Sequence, residues 1–245
     1  MLVSEVMLQQ TQARRVVPHY ERFLRTFPTV EALAAASAGD ALRAWDNLGY
    51  SRRALNLWRT AVAVVARGGF PSTVDELRTL PGVGPYTARA VASFAFGVDV
   101  AAADVNVRRV VARTHGVAES GDVQALADRL VPRGKVREWN QAMIDLGAEV
   151  CRARNPRCSE CPLRRMCAWS DGVRPAAKAR PKAPRFEETT RYARGRVVQA
   201  LRSGAQTRTS LAETTGLPAQ RLDDALRSLE DESLISKRGS RYVLG

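Results

Sequence analysis

The chain has 245 residues, 45% of them hydrophobic and 26% charged, which is enough to bury a core in one or two domains and excludes a disordered, a collagen-like or a transmembrane protein. The 38 Lys and Arg against 25 Asp and Glu give a net charge of +13. That balance points to a polyanionic partner such as nucleic acid, a basic surface without a partner being the alternative. Met1 to Gln12 lack the basic head, apolar stretch and cleavage site of a signal peptide, so no membrane and a cytoplasmic setting are expected.

From Met1 to about Gly147 the apolar residues recur at helical spacing, as in Val16, Val17, Tyr20, Phe23, Leu24 and Phe27. Turn signals at Phe27-Pro28, Gly49, Gly68 to Pro71, Pro81-Gly82 and Gly97 cut this stretch into short helices. The expectation is all-α. The first helix opens the run Ser4-Glu5-Val6-Met7-Leu8-Gln9-Gln10-Thr11-Gln12, and Leu48-Gly49-Tyr50 follows at the third turn signal. Taken alone, Glu5 reads as a first-turn carboxylate and Tyr50 as a core aromatic.

Leu80-Pro81-Gly82-Val83-Gly84-Pro85 lies between two helical segments, the second expected over Tyr86 to Phe96. Its glycines permit a tight inter-helix hairpin, and the backbone N–H groups of Gly82, Val83 and Gly84, at the N-terminus of the second helix, can hold a phosphate. This is a helix-hairpin-helix signature, moderately specific by itself. In Asp104-Val105-Asn106-Val107, Asp104 has the place of a helix cap.

The four cysteines, Cys151, Cys158, Cys161 and Cys167, fall within seventeen residues. Only one tight pair is present, whereas zinc usually takes two; four thiolates at graded spacing suit a [4Fe–4S] cluster, with zinc or disulfides as alternatives. The loop is basic, and Arg152, Arg154 and Arg157 would offer guanidinium groups to phosphates or else offset the cluster's charge.

Residues 172–188 hold Pro175, Pro181 and Pro184 with Arg174, Lys178, Arg180, Lys182 and Arg185, a basic semi-rigid linker. Beyond it, helices are expected over Arg191 to Arg202, Ser210 to Thr215 and Ala219 to Glu232, then a hairpin of Leu234 to Ser236 and Tyr242 to Leu244 with a basic tip. The segment 189–245 resembles a winged helix, a module that binds DNA or docks proteins. Arg221 and Arg227 on its third helix and Lys237, Arg238 and Arg241 at its wing are expected to add phosphate contacts.

Taken together, the Glu5 run, Leu48-Gly49-Tyr50, the hairpin, the Asp104 motif and the cysteine set, in this order over residues 1 to about 170, resemble the endonuclease III superfamily of base-excision DNA glycosylases. The form Ser-Glu-Val-Met-Leu-Gln-Gln-Thr-Gln is most similar to the MutY-type adenine DNA glycosylases. The resemblance implies an all-α helix-hairpin-helix fold: a glycosylase domain over 1–171 with its cluster loop at 151–167, the linker 172–188, and the winged helix 189–245. It implies a [4Fe–4S] cofactor, a monomer in the cytoplasm at the nucleoid, and duplex DNA with mismatched or damaged base pairs as partner.

The residue types fit the chemistry so implied. A flipped-out adenine leaves poorly as an anion, so Glu5 would protonate it and the ionised Asp104 would stabilise the cationic sugar. Tyr86 stands where bifunctional relatives hold a lysine nucleophile; a phenol forms no imine, which implies a monofunctional hydrolase with Tyr86 as a positioning group. Asn106 would orient Asp104 or the water. Gln9, Gln10 and Tyr50 match residues that wedge into the duplex.

The pattern departs from the family in three places. The chain starts at the Glu5 helix, without the preceding helix that completes the cluster lobe; a winged helix stands in place of a Nudix-like domain that senses 8-oxoguanine; and Val105 stands where Gly is frequent. Two other readings compete with adenine excision. One is a thymine or uracil mismatch glycosylase of the same superfamily, the other a non-catalytic iron–sulfur DNA-binding regulator.

Overall fold

A computed structural model describes residues 1–119, 121–169 and 184–245; most of the expected linker, with Arg174, Pro175, Lys178, Arg180, Pro181 and Lys182, lies outside them. These residues divide into two compact units, one of 1–2, 72–79 and 83–169, the other of 3–71, 80–82 and 184–245.

The first unit is helical: α6 (Val74–Arg78), α7 (Pro85–Phe96), α8 (Val105–His115), α9 (Val123–Leu130) and α10 (Val136–Asp145), which widens into one looser turn over Leu146–Val150. Sequence sets the helix ends. Pro85 stands at the first position of α7, where its missing N–H costs nothing, and Gly97 and Gly116 close α7 and α8 in the left-handed conformation that favours glycine. Ala101, Ala103, Val107, Val111, Val123 and Ala127 form a core of small and branched side chains, which lets α8 and α9 approach closely.

The second unit begins with α1 (Leu2–Leu8), α2 (Ala13–Thr26), α3 (Val30–Ala35), α4 (Ala38–Trp45) and α5 (Arg52–Ala66). Ser37 and Asp40 close a reciprocal capping box at the start of α4. Phe23 packs edge-on to Phe27 and Trp45, with centroids 5.1 and 6.1 Å away. Trp45 is fully buried and satisfies its indole N–H on the Gly49 carbonyl at 2.9 Å. A buried aromatic thereby fixes the loop that carries Tyr50.

The same unit includes α11 (Thr190–Arg202), α12 (Arg208–Thr215) and α13 (Ala219–Asp231), with β1 (Gln206–Thr207), β2 (Ile235–Arg238) and β3 (Arg241–Leu244) in an antiparallel sheet of order β1-β3-β2. That is the element order of a winged helix. The wing is tighter than the sequence pattern implies: pairing runs from Ile235 opposite Leu244 to Arg238 opposite Arg241, so the tip is only Gly239 and Ser240. Strand β1 carried too little pattern to be foreseen. The C-terminal segment is packed closely onto α4, because a Cβ at Gly39 would lie 2.8 Å from the Leu244 carbonyl oxygen. Arg202 adds hydrogen bonds to Asn47 Oδ1 at 2.9 Å and to the Asp46 carbonyl.

Candidate active site

Glu5 is half-buried on α1, beside the buried Val6 and Met7. One side chain of α5 organises everything that follows it. Arg53 donates to the carbonyls of Val6, Met7 and Gln9 at 2.9, 3.0 and 2.5 Å, to Thr11 Oγ1 at 3.2 Å and to the Gly49 carbonyl at 3.2 Å. The last carbonyls of a helix lack partners of their own and attract a cation, so Arg53 both ends α1 and ties it to the Tyr50 loop. Burial pushes its guanidinium down to about 10. Sequence patterning gave no sign of Arg53, because four of its five partners lie more than forty residues away in the chain.

Gln10 and Tyr50 hold φ of 55° and 50°, a conformation that costs a residue with a side chain energy and is kept here by the Arg53 web. Tyr50 is 37% exposed, so core packing does not account for it. Two guanidinium groups, those of Arg53 and Arg191, lie over its ring, each 5.2 Å from the centroid, and Arg191 also donates to its hydroxyl.

At the hairpin, Gly82 has φ of 75°, and a Cβ there would lie 2.6 Å from Asn56 Nδ2. Only glycine allows that approach. Thr60 Oγ1 donates to the Pro81 carbonyl at 2.9 Å and so holds the turn from α5. Val83 is buried, while Gly84 caps α7 with open space where a Cβ would be.

Asp104 caps α8, with the N–H groups of Asn106 and Val107 donating to Oδ1 at 2.8 Å each. The cap does not use up the carboxylate, since Oδ2 accepts from Asn106 Nδ2 at 3.0 Å. Asn106 is oriented in turn by Arg109, whose Nη2 donates to Asn106 Oδ1 at 2.8 Å and to the Gly147 carbonyl at 2.7 Å, and whose Nε donates to the Cys151 carbonyl at 2.7 Å. Arg109 is buried, so these charge-assisted bonds are shielded from water. Gly147 makes room for them: a Cβ there would sit 2.7 Å from Asn106 Cβ. Neither Arg109 nor Gly147 was legible beforehand. Asp104, Asn106 and Tyr86 belong to the first unit, and Glu5, Gln9, Gln10 and Tyr50 to the second.

None of the four cysteines is in a disulfide. All four line one cavity of about 440 Å³, walled by Val110, Leu146, Val150, Leu163 and Trp169 among others. Four cysteines around one cavity are the donor set that a multi-iron cluster takes. Burial, reinforced by the three other sulfurs, pushes the Cys161 thiol up, and it is a cationic cluster core that would favour the thiolates. Arg113 lies 3.5 Å from Cys151 Sγ, bonds the Arg152 carbonyl at 2.9 Å and stacks on Trp169 at 4.8 Å. Arg152, Arg154 and Arg157 are exposed, although Arg157 is paired with Glu160 at 3.2 Å.

Residues 3–133 match the family described as HhH-GPD superfamily base excision DNA repair protein, and residues 151–167 match the iron-sulfur binding domain of endonuclease III. The chain belongs to the HhH-GPD superfamily of base excision DNA repair proteins. Within it, the similarity is to proteins named adenine DNA glycosylase. That of Mycolicibacterium smegmatis is 42% identical over 99% of this chain and 86% of its own, that of Mycobacterium tuberculosis 43% identical over 96% and 81%, and that of Homo sapiens 40% identical over 67% and 32%. Among solved structures, a thermostable thymine-DNA glycosylase matches with a TM-score of 0.65 at 30% identity, covering 70% of this chain and 83% of that one. A non-covalent endonuclease III–DNA complex matches with 0.60 at 28%, covering 68% and 80%. The chain is thus a base-excision DNA glycosylase of the all-α helix-hairpin-helix fold, and its cysteine loop is a [4Fe–4S] site. No helix among the described residues is long and apolar enough to cross a membrane.

Proposed function

We propose that this protein hydrolyses the N-glycosidic bond of adenine mispaired with 8-oxoguanine or guanine in duplex DNA, as a monofunctional monomer in the cytoplasm, at the nucleoid. The observation that carries the reading is the Asp104–Asn106 pair at the start of α8. Two backbone N–H groups at Oδ1 and the Asn106 amide at Oδ2 hold the Asp104 carboxylate in one orientation at the start of α8. A charged carboxylate is what a cationic, oxocarbenium-like sugar needs beside it.

In this mechanism the hairpin backbone from Gly82 to Gly84 grips a phosphate, and Tyr50 with Gln9 and Gln10 enters the stack as the adenine leaves it. Arg152, Arg154 and Arg157 grip further phosphates. Glu5 gives its proton to a ring nitrogen of adenine as the bond to C1′ breaks, so the base departs neutral. Asp104 stabilises the resulting cation, and a water oriented by Asn106 adds at C1′ while losing a proton to a carboxylate. The products are adenine and an abasic deoxyribose. With Tyr86 in place of an amine, no imine forms and the strand is left uncut. Cys151, Cys158, Cys161 and Cys167 would hold the cluster, which would supply a rigid anchor for the loop whose Cys151 carbonyl accepts from Arg109.

A thymine mismatch activity is the second reading, favoured by the solved thymine-DNA glycosylase at 30% identity. Single-turnover reactions on duplexes with A opposite 8-oxoguanine, A opposite G, T opposite G and U opposite G separate the two. Release of adenine from the first pair of duplexes and of no pyrimidine from the second is expected.

A further inference from the structure

In a winged helix the third helix ordinarily enters a groove of DNA. Here that helix, α13, carries Asp223, Asp224, Glu230 and Asp231 against Arg221 and Arg227, and so repels a polyanion. Its two arginines, expected to hold phosphates, are engaged: Arg227 with Asp224, and Arg221 with the carbonyls of Glu187 and Thr189 at 2.7 and 3.1 Å. The first helix, α11, spends its charge on the protein itself. Arg194 and Arg196 bond within the C-terminal segment, to Glu232 and to the Thr214 carbonyl. Arg191 and Arg202 reach outside it. They stand about three helical turns apart and so lie on one side of α11.

What they reach is the loop 46–50. Asp46, Gly49 and Tyr50 there hold φ of 49°, 80° and 50°, and the two that bear side chains enter this left-handed region at a cost in energy. Such a backbone persists only where its surroundings fix it. Arg53 fixes the end at Gly49. Arg202 fixes the other end: largely buried, it donates to the Asp46 carbonyl, where α4 ends and a cation is favoured, and to Asn47 Oδ1 at 2.9 Å. Arg22 adds a bond to Asp46 Oδ2 at 2.6 Å, and Arg15 one to the Asn47 carbonyl at 3.0 Å. Arg191 meets the side chain that the loop presents, stacking on the Tyr50 ring at 5.2 Å and donating to its hydroxyl. Close seating of the segment supports both contacts, since a Cβ at Gly245 would lie 2.6 Å from the backbone nitrogen of Gly39 on α4.

We propose that Arg202 and Arg191 are positioning residues for base extrusion: by fixing the loop 46–50 they preset Tyr50 in the conformation that enters the stack. The two arginines then act on the reaction through Tyr50 and not through DNA. The proposal rests on the reading of Tyr50 as the residue that enters the duplex when the adenine leaves it.

The test follows unstacking by the full-length, cluster-loaded protein at saturating enzyme, on a duplex with 2-aminopurine beside the adenine opposite 8-oxoguanine; its fluorescence rises as the stack opens. Arg202→Met keeps the stem and loses the bonds, and should slow that rise roughly tenfold. Arg191→Ala should slow it several-fold with an unchanged melting temperature, because Arg191 is exposed, so this variant decides the proposal even where Arg202→Met folds poorly. In a Tyr50→Ala background neither substitution should slow the residual rise further, since residues that act through a third are not additive with it. The dependence of affinity on salt should stay as in the wild type, whereas a lost phosphate contact lowers its slope by about 0.9. An unchanged or faster rise in Arg191→Ala, a further loss in the Tyr50→Ala background, or a lowered salt slope would overturn the proposal. Adenine release by the wild type, followed in parallel, judges the glycosylase reading separately; its absence would sink that reading while the fluorescence still decides the positioning role.

Discussion

Asn106 holds Asp104 at both carboxylate oxygens, by its backbone N–H to Oδ1 at 2.8 Å and by its side-chain amide to Oδ2 at 3.0 Å. Its own amide oxygen is held by Arg109, which reaches the Cys151 carbonyl at 2.7 Å. A partly buried chain of four groups therefore runs from the candidate catalytic carboxylate to the first cysteine of the cluster loop. Such a chain fixes orientation because each member has one satisfied geometry.

That chain gives the first prediction. Arg109→Lys keeps the charge but cannot make the three directed bonds, and losing a bond to a buried charged group costs about 1.5–3 kcal/mol. Single-turnover adenine release should fall by roughly ten- to a hundredfold, with duplex affinity within a few-fold of wild type. Asn106→Ala should reproduce the effect, and full activity in both variants would remove the orienting role.

Tyr86 gives the second. If no lysine serves as nucleophile, borohydride added during turnover should trap no protein–DNA adduct, while alkali after turnover should cut the abasic strand. An abundant adduct would show that another amine attacks the sugar.

How far could these residues be read from the chain alone? The cysteine set, the Gly82–Gly84 turn and the Asp104 cap were legible because each is local: spacing, a turn chemistry or a cap decides it within a few residues. Arg53 and Arg109 were not, because the carbonyls they satisfy come from α1 and from the cluster loop, far away in sequence. Gly147 looked like any helical glycine until Asn106 was found pressed against it. At the C-terminal end the helix order was legible, but the motif drew attention to α13, whose acidic residues outnumber its arginines, and away from α11.

The cluster gives the third prediction. Protein purified without oxygen should be brown and contain about four irons per chain. Stoichiometric zinc with no iron would contradict the multi-iron reading of the cavity.

The fourth concerns pH. Arg194 binds both oxygens of Glu232, at 2.6 and 2.7 Å, and holds its carboxyl below the usual value. A carboxyl lowered in the folded state stabilises the fold above its unfolded pKa of about 4.3, and that contribution is lost as pH falls through the folded value. The pair is partly solvent-exposed, so it is worth about 1 kcal/mol or less. Wild type should melt slightly above Glu232→Gln at pH 7, and the two curves should converge below pH ~4. A gap that widens as the solution is acidified would reverse the assigned sign.

The central claim is that Glu5 delivers the proton that lets adenine leave. Glu5→Gln preserves shape and cannot act as an acid, and general-acid catalysis contributes at least about a hundredfold. The decisive measurement is single-turnover release of adenine from a duplex with A opposite 8-oxoguanine, at saturating enzyme, by wild type and Glu5→Gln. The account predicts a fall of at least about a hundredfold with duplex binding nearly intact; release within a few-fold of wild type would contradict it.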